Sequence, residues 1–173
     1  RPGWQKEVGD QKDRDLIFFD AVLARLKQDY KVDGKRIYAT GHSNGGAFTY
    51  LLWSERAAAF AAFAPTAALF GPKGAKAKPK PALVIAGEKD EIVPFANQQR
   101  NIEFLRRLDH SEGDGARWSK TCTLYKHTSS GEDLVTWVHP GGHALPAESF
   151  DHIVKFFKEH PKRSSPAADP KAP

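Results

Sequence analysis

From Asp13 onward, Leu16, Phe19, Leu23, Leu26 and Tyr30 recur at helical spacing, so residues 13–30 predict an amphipathic helix with one apolar stripe. Asp10 or Asp13 is placed to cap it. "VDG" ends the pattern, and "KRIYAT" (35–40) follows as a β-branched and aromatic run of strand type. "GHSNGG" (41–46) is a tight turn, after which Phe48, Leu51, Leu52 and Trp53 predict a buried helix.

The alternation then repeats. "AFAAFAP" (59–65) predicts a small-residue strand, and the continuous apolar run in "PALVIAGEKD" (81–90) predicts a strand covered on both faces. Residues 93–109 predict a helix with Phe95, Ile102, Leu105 and Leu108 on one face. "TCTLYKH" and "LVTWVHP", joined by "TSSGED", predict a β-hairpin. Residues 147–160 predict a last helix with Phe150, Ile153, Val154 and Phe157 inward. Strands alternating with helices place the chain in the α/β class, with a mainly parallel sheet flanked by helices. There is no internal repeat.

A chain of 173 residues, 40% hydrophobic, is enough for one domain, expected over residues 1–160. Residues 161–173 are polar and proline-rich and predict a flexible tail or linker. No apolar run approaches the roughly 18 residues of a membrane span, and the polar first residues hold no signal peptide, so no membrane partner is expected. The net charge of +5 is concentrated in that tail and in "GPKGAKAKPKP" (71–81), whose lysines have no aromatic residue among them. A solvated basic loop is therefore expected rather than a nucleic-acid surface. Cys122, the only cysteine, cannot form an internal disulfide and is expected to be a buried, inert thiol. Neither zinc-ligand spacing nor a phosphate- or dinucleotide-binding glycine motif is present, so no metal or cofactor is expected.

The chemistry centres on "YATGHSNGGAF" (38–48). A serine hydroxyl is a poor nucleophile unless a strained turn exposes it beside a base, with backbone N–H groups facing the developing oxyanion. G-x-S-x-G between a predicted strand and helix meets that need. Gly41 and Gly45 would allow close approach at the turn, Ser43 would be the nucleophile, and the Asn44 N–H would be an oxyanion donor. The acid is expected at the end of a later strand. Asp90 stands there, with Glu88 and Glu91 as neighbouring competitors. The base must follow, and His143 in "PGGHALP" lies on a glycine-rich loop able to bend over the turn, with His139 as runner-up at the strand's end.

With these motifs in order, the chain resembles the α/β-hydrolase superfamily, in particular its feruloyl esterase and polyhydroxybutyrate depolymerase-like group. The resemblance rests on "FFDAVLARLKQDYKVDGKRIYATGHSNGGAFTYLL", "AGEKDEIVPF" and "GGHALP" and spans roughly residues 3–160. It implies a serine esterase with Ser43, Asp90 and His143 as triad, the Asn44 backbone N–H in the oxyanion hole, and no metal or cofactor. It implies small-molecule or polymeric ester substrates, such as feruloyl or acetyl esters of plant polysaccharide or polyesters, and a secreted or periplasmic location. Leu145 stands where the group often carries an aromatic residue.

The superfamily pattern also puts strands and a second oxyanion donor ahead of the helix at Asp13. The chain is therefore expected to be the C-terminal portion of a longer α/β-hydrolase domain, weakly active by itself, with "RIYAT" as an exposed sheet edge prone to self-association. A prolyl oligopeptidase-type serine peptidase and a non-catalytic binding module on the same scaffold are the alternatives.

Overall fold

The computed structural model describes residues 3–71, 77–111, 113–128 and 131–163. Its centre is a sheet of β1 (Tyr38–His42), β2 (Ala62–Thr66), β3 (Ala82–Gly87), β4 (Ala116–Arg117), β5 (Thr123–Tyr125) and β6 (Leu134–His139), in the order β1-β2-β3-β6-β5-β4. Strands β1, β2, β3 and β6 are parallel; β5 and β4 add antiparallel pairs at one side. Around it lie α1 (Arg14–Asp29), α2 (Asn44–Arg56), α3 (Phe95–Leu108) and α4 (Ser149–Glu159).

Strand β3 is buried along its whole length because alternate side chains enter two separate cores. Ala82, Val84 and Ala86 face the core that holds Leu16, Trp53 and Leu105 from α1, α2 and α3. Leu83 and Ile85 face the other, with Val135, Trp137, Ile153 and Phe156. Trp53 anchors the first core, stacking on Phe63 at 5.1 Å while its indole N–H donates to the Lys78 carbonyl at 2.8 Å. Cys122 lies in the second core, 3% exposed.

Several sequence expectations need correction. On α1 only Leu16 and, in part, Phe19 reach the core, whereas Leu26 (44%) and Tyr30 (67%) are exposed. Phe19 stacks on Phe60 at 5.2 Å, and no described element buries the turns beyond it. Neither Asp10 nor Asp13 caps the helix. Gln11, Lys12 and Asp13 have φ of 51°, 58° and 56°, a left-handed turn that takes Asp13 out of the extended backbone a capping side chain needs. The side-chain amide oxygen of Gln5, Oε1, instead accepts the N–H groups of Asp15 (2.9 Å) and Leu16 (3.1 Å). On α4, Phe156 and Ile153 point inward while Phe150 (63%) and Val154 (50%) are exposed. The pattern allows two overlapping apolar faces, and the one carrying Phe156 packs against Trp118 and His160.

The basic segments are also less solvated than their composition suggests. Lys80 is half-buried and its ammonium donates to the Phe60 carbonyl at 2.9 Å; burial pulls its pKa below the ordinary lysine value. Lys162 is tied to the body by its backbone N–H, which donates to the Lys35 carbonyl at 2.8 Å, and by its ammonium on the Ala58 carbonyl. Lys73 and Lys76, and the tail from 164, lie outside the described residues. Strand β4 has no counterpart in the sequence reading, being only two residues long and polar in pattern.

At the C-terminus of α3, Asp109 is fully buried. One carboxyl oxygen accepts the Lys80 backbone N–H at 3.1 Å and the other has no partner. Burial raises its pKa from 3.8 to about 8, so in the fold it holds a proton that it releases on unfolding at neutral pH. A folded pKa above the unfolded one gives stability that is complete below pH 3.8 and declines up to about pH 8. Asp109→Asn is therefore expected to unfold with the parent near acidic pH and to gain stability over it above that, by up to roughly 1.4 kcal/mol per pH unit. Urea melts of both proteins across this range measure the difference; parallel curves would contradict the assignment.

Candidate active site

All four parallel strands point the same way, so β1, β3 and β6 end at one edge of the sheet, and a candidate residue follows each within a short turn or loop. Directly after β1, Ser43 has φ 56° and ψ −118°, a strained conformation for any residue but glycine. Its N–H is held by the Thr66 carbonyl at 3.0 Å, and α2 starts at Asn44. The turn closes only because small residues surround it. A Cβ on Gly41 would lie 2.4 Å from the Gly45 carbonyl oxygen, and one on Gly46 would lie 2.7 Å from both the Thr66 oxygen and the Ala68 methyl. Gly45, which the motif suggested, has open space around it, so the close approach belongs to Gly46.

Asp90 follows β3 in a turn that its own carboxylate stabilises. Oδ1 accepts the backbone N–H groups of Ile92 (2.9 Å) and Val93 (2.8 Å), and Oδ2 accepts the Gln98 amide at 2.9 Å. Burial by itself would push this carboxyl up, but the hydrogen bond from His143 and the Val93 and Ile92 N–H groups outweigh it and hold the pKa below the ordinary carboxylate value. Asp90 is thus an ionised, buried acceptor. Its competitors Glu88 and Glu91 are exposed.

The loop after β6 is folded over the end of β3. Lys89 donates its N–H to the Gly141 carbonyl at 2.9 Å, and a Cβ on Gly87 would lie 2.4 Å from the Gly142 oxygen. This fold brings His143 between the other two groups, with Nδ1 2.8 Å from Asp90 Oδ2 and Nε2 2.8 Å from Ser43 Oγ. Because an ionised carboxylate only accepts, Nδ1 carries the proton and the Nε2 lone pair faces the serine hydroxyl. His139 takes a different role. It is 5% exposed, accepts the Gly141 N–H at Nδ1 (3.1 Å), and burial lowers its pKa. It braces the loop and does not reach Ser43.

Other contacts were not legible in the motif. The Asn44 side chain clasps the segment before α1, accepting the Trp4 N–H at 2.7 Å and donating to the Trp4 carbonyl at 3.2 Å. The ring of His42 lies 4.9 Å from that of His143 and bridges Thr66 Oγ1 (3.0 Å) and the His143 carbonyl (3.3 Å). Gln98 had no motif to mark it, only its place one turn into α3. Beside Ser43 opens a cleft of about 400 Å³, walled by Ala47, Leu69, Phe70 and Val93 with Lys6 and Glu7 at one side. Among the described residues no group of three or more His, Cys, Asp or Glu side chains is placed to hold a metal ion. The arrangement can pass a proton from a hydroxyl to a half-buried imidazole paired with a buried carboxylate, next to a mostly apolar cleft.

Comparison with known proteins agrees with this fold. The chain is 33% identical over 102 residues to the bifunctional acetylxylan esterase/xylanase of Neocallimastix patriciarum, covering 58% of this chain and 15% of that protein. It is 33% identical over 113 residues to the probable feruloyl esterase C of Aspergillus niger, covering 64% and 39%. It therefore spans well under half the length of either relative. Among solved structures, a thermostable esterase superposes with a TM-score of 0.63 at 19% identity, over 86% of this chain and 37% of the other. The Bacillus cereus carboxylesterase gives 0.61 at 17%, over 86% and 63%. The model of the dienelactone hydrolase family matches residues 3–110, more than half of the sequence and inclusive of the Ser43 turn and Asp90, and the chain belongs to that family.

Proposed function

We propose that the protein is a serine carboxylic-ester hydrolase with Ser43 as nucleophile, His143 as general base and Asp90 as the acid that orients it. The observation that carries the reading is the continuous hydrogen-bond chain from Ser43 Oγ through His143 to Asp90, with both links at 2.8 Å. As His143 Nε2 takes the hydroxyl proton, Ser43 Oγ attacks the ester carbonyl, and the negative charge that forms on the carbonyl oxygen lies near the Asn44 N–H at the start of α2. The imidazolium, stabilised by Asp90, then protonates the leaving alcohol. An acyl group remains on Ser43. Water, deprotonated by the same imidazole, attacks it and releases the acid.

The cleft supports a bulky apolar acyl group. About 400 Å³ walled by Leu69, Phe70 and Val93 exceeds what an acetyl group fills and suits one of hydroxycinnamoyl size, in keeping with the name of the feruloyl esterase relative. Esters of plant polysaccharide, met outside the cytoplasm, are the substrates this reading favours. The unpaired edge of β1 is the surface through which copies of the chain would associate.

A fluorophosphonate probe is expected to label Ser43 in the parent and not in Ser43→Ala. Ser43→Ala and His143→Ala are each expected to lower turnover of a p-nitrophenyl ester by about 10⁴-fold or more. A folded parent that takes up no label would sink the reading. Gly87→Ala is expected to displace the 141–143 loop and reduce turnover by about 10²-fold, because even a ~1 Å shift of a reacting group is that costly. Hydrolysis assays paired with thermal melts separate this from unfolding, and normal turnover by a folded variant would show that the loop tolerates the added methyl.

A further inference from the structure

Asp90 receives four hydrogen bonds from three sources: two backbone N–H groups on Oδ1, and the Gln98 amide and His143 Nδ1 on Oδ2. A carboxylate offers about four acceptor positions, so this one is saturated. The backbone donors come from Asp90's own turn and fix only Oδ1. The direction in which Oδ2 points is set by Gln98, which is 1% exposed and lies in the first turns of α3.

The amide is itself held from a second direction. The same Nε2 donates to the Val93 carbonyl at 2.7 Å, so the side chain closes the turn from Asp90 to Val93 like a clasp. Its orientation is unambiguous, since turning the amide over would set Oε1 against two acceptors, the Asp90 carboxylate and the Val93 carbonyl. In this orientation Gln98 Oε1 is buried without a partner. A leucine would fill the space without an orphaned oxygen, so what the glutamine contributes is its pair of N–H donors.

We propose that Gln98 is a positioning residue of the site: it aims Asp90 Oδ2 at His143 Nδ1 and thereby fixes the tautomer that presents Nε2 to Ser43. The proposal rests on the reading of Ser43, His143 and Asp90 as a catalytic triad. It assigns a function in catalysis to a residue outside that triad, acting through the acid rather than on the substrate.

The test compares the parent with Gln98→Leu and Gln98→Glu, using a soluble p-nitrophenyl ester and proton NMR of the His143 Nδ1–H. In Gln98→Leu, kcat is expected to fall by about tenfold or more with KM little changed, and the Nδ1–H resonance to shift and exchange faster with water. In Gln98→Glu a second carboxylate faces Oδ2 at about pH 8, while at about pH 6 or below its protonated form can donate again. Its activity relative to Gln98→Leu is therefore expected to rise as the pH falls. His42, His139 and Glu88, the other ionisable groups around the triad, are the same in both variants and cancel in that ratio. A folded Gln98→Leu with kcat within about threefold of the parent and an unmoved Nδ1–H signal would overturn the proposal. So would a fall in kcat that tracks lost thermal stability, with the signal and the pH ratio unchanged. If the parent hydrolyses no ester, the esterase reading fails separately, and the NMR comparison still decides whether Gln98 aims the acid.

Discussion

Parallel pairing of β3 with β6 runs without a break from Ala82 opposite Leu134 to Gly87 opposite His139. That register determines where two loops leave the sheet, and it leaves them side by side. Asp90 lies three residues beyond the end of one strand and His143 four beyond the end of the other. A slip of one residue would reverse the faces of every β6 side chain, putting Val135 and Trp137 where Leu134 and Thr136 now lie. The Asp90–His143 hydrogen bond is therefore a by-product of how the apolar side chains of β3 and β6 fill two cores at once.

Close backbone approach is the second constraint, and it operates at both loops. Gly41 and Gly46 let the start of α2 press against β1 and β2, and Gly87 lets the loop carrying His143 lie on the end of β3. Where backbone is this near backbone, the polar groups of the loops are satisfied by each other, as in the pairs Lys89–Gly141 and Glu88–His139. The side chains are then freed to face inward. Asp90 can stay ionised in a dry position because every acceptor site it has is filled by protein rather than water.

Much of this was legible in the sequence. Strands of unbroken apolar character and helices with clean spacing, such as β3 and α3, follow from burial alone, and the turn around Ser43 carries its own glycine signature. What could not be read was anything decided by a neighbour distant in the chain. The inward face of α4 depended on Trp118, which follows β4, and the cap of α1 came from the Gln5 side chain because Asp13 is drawn into a left-handed turn. The same holds at the site. The glycine-rich loop singled out His143 over His139, but the brace that His139 forms on the Gly141 N–H becomes visible only once that loop is folded over Gly87. Gln98, seen as one more polar residue on an amphipathic helix, gave no periodic signal at all.

The burial of Cys122 has a practical consequence. The chain has one cysteine and no methionine, so this thiol is its only sulfur, and it sits 3% exposed in the core that α4 covers, on the face opposite α1, α2 and α3. A thiol reagent can reach it only when that face opens. The molecule thus carries a built-in, single-atom gauge of how firmly α4 is docked, readable with a thiol reagent and without introducing any residue.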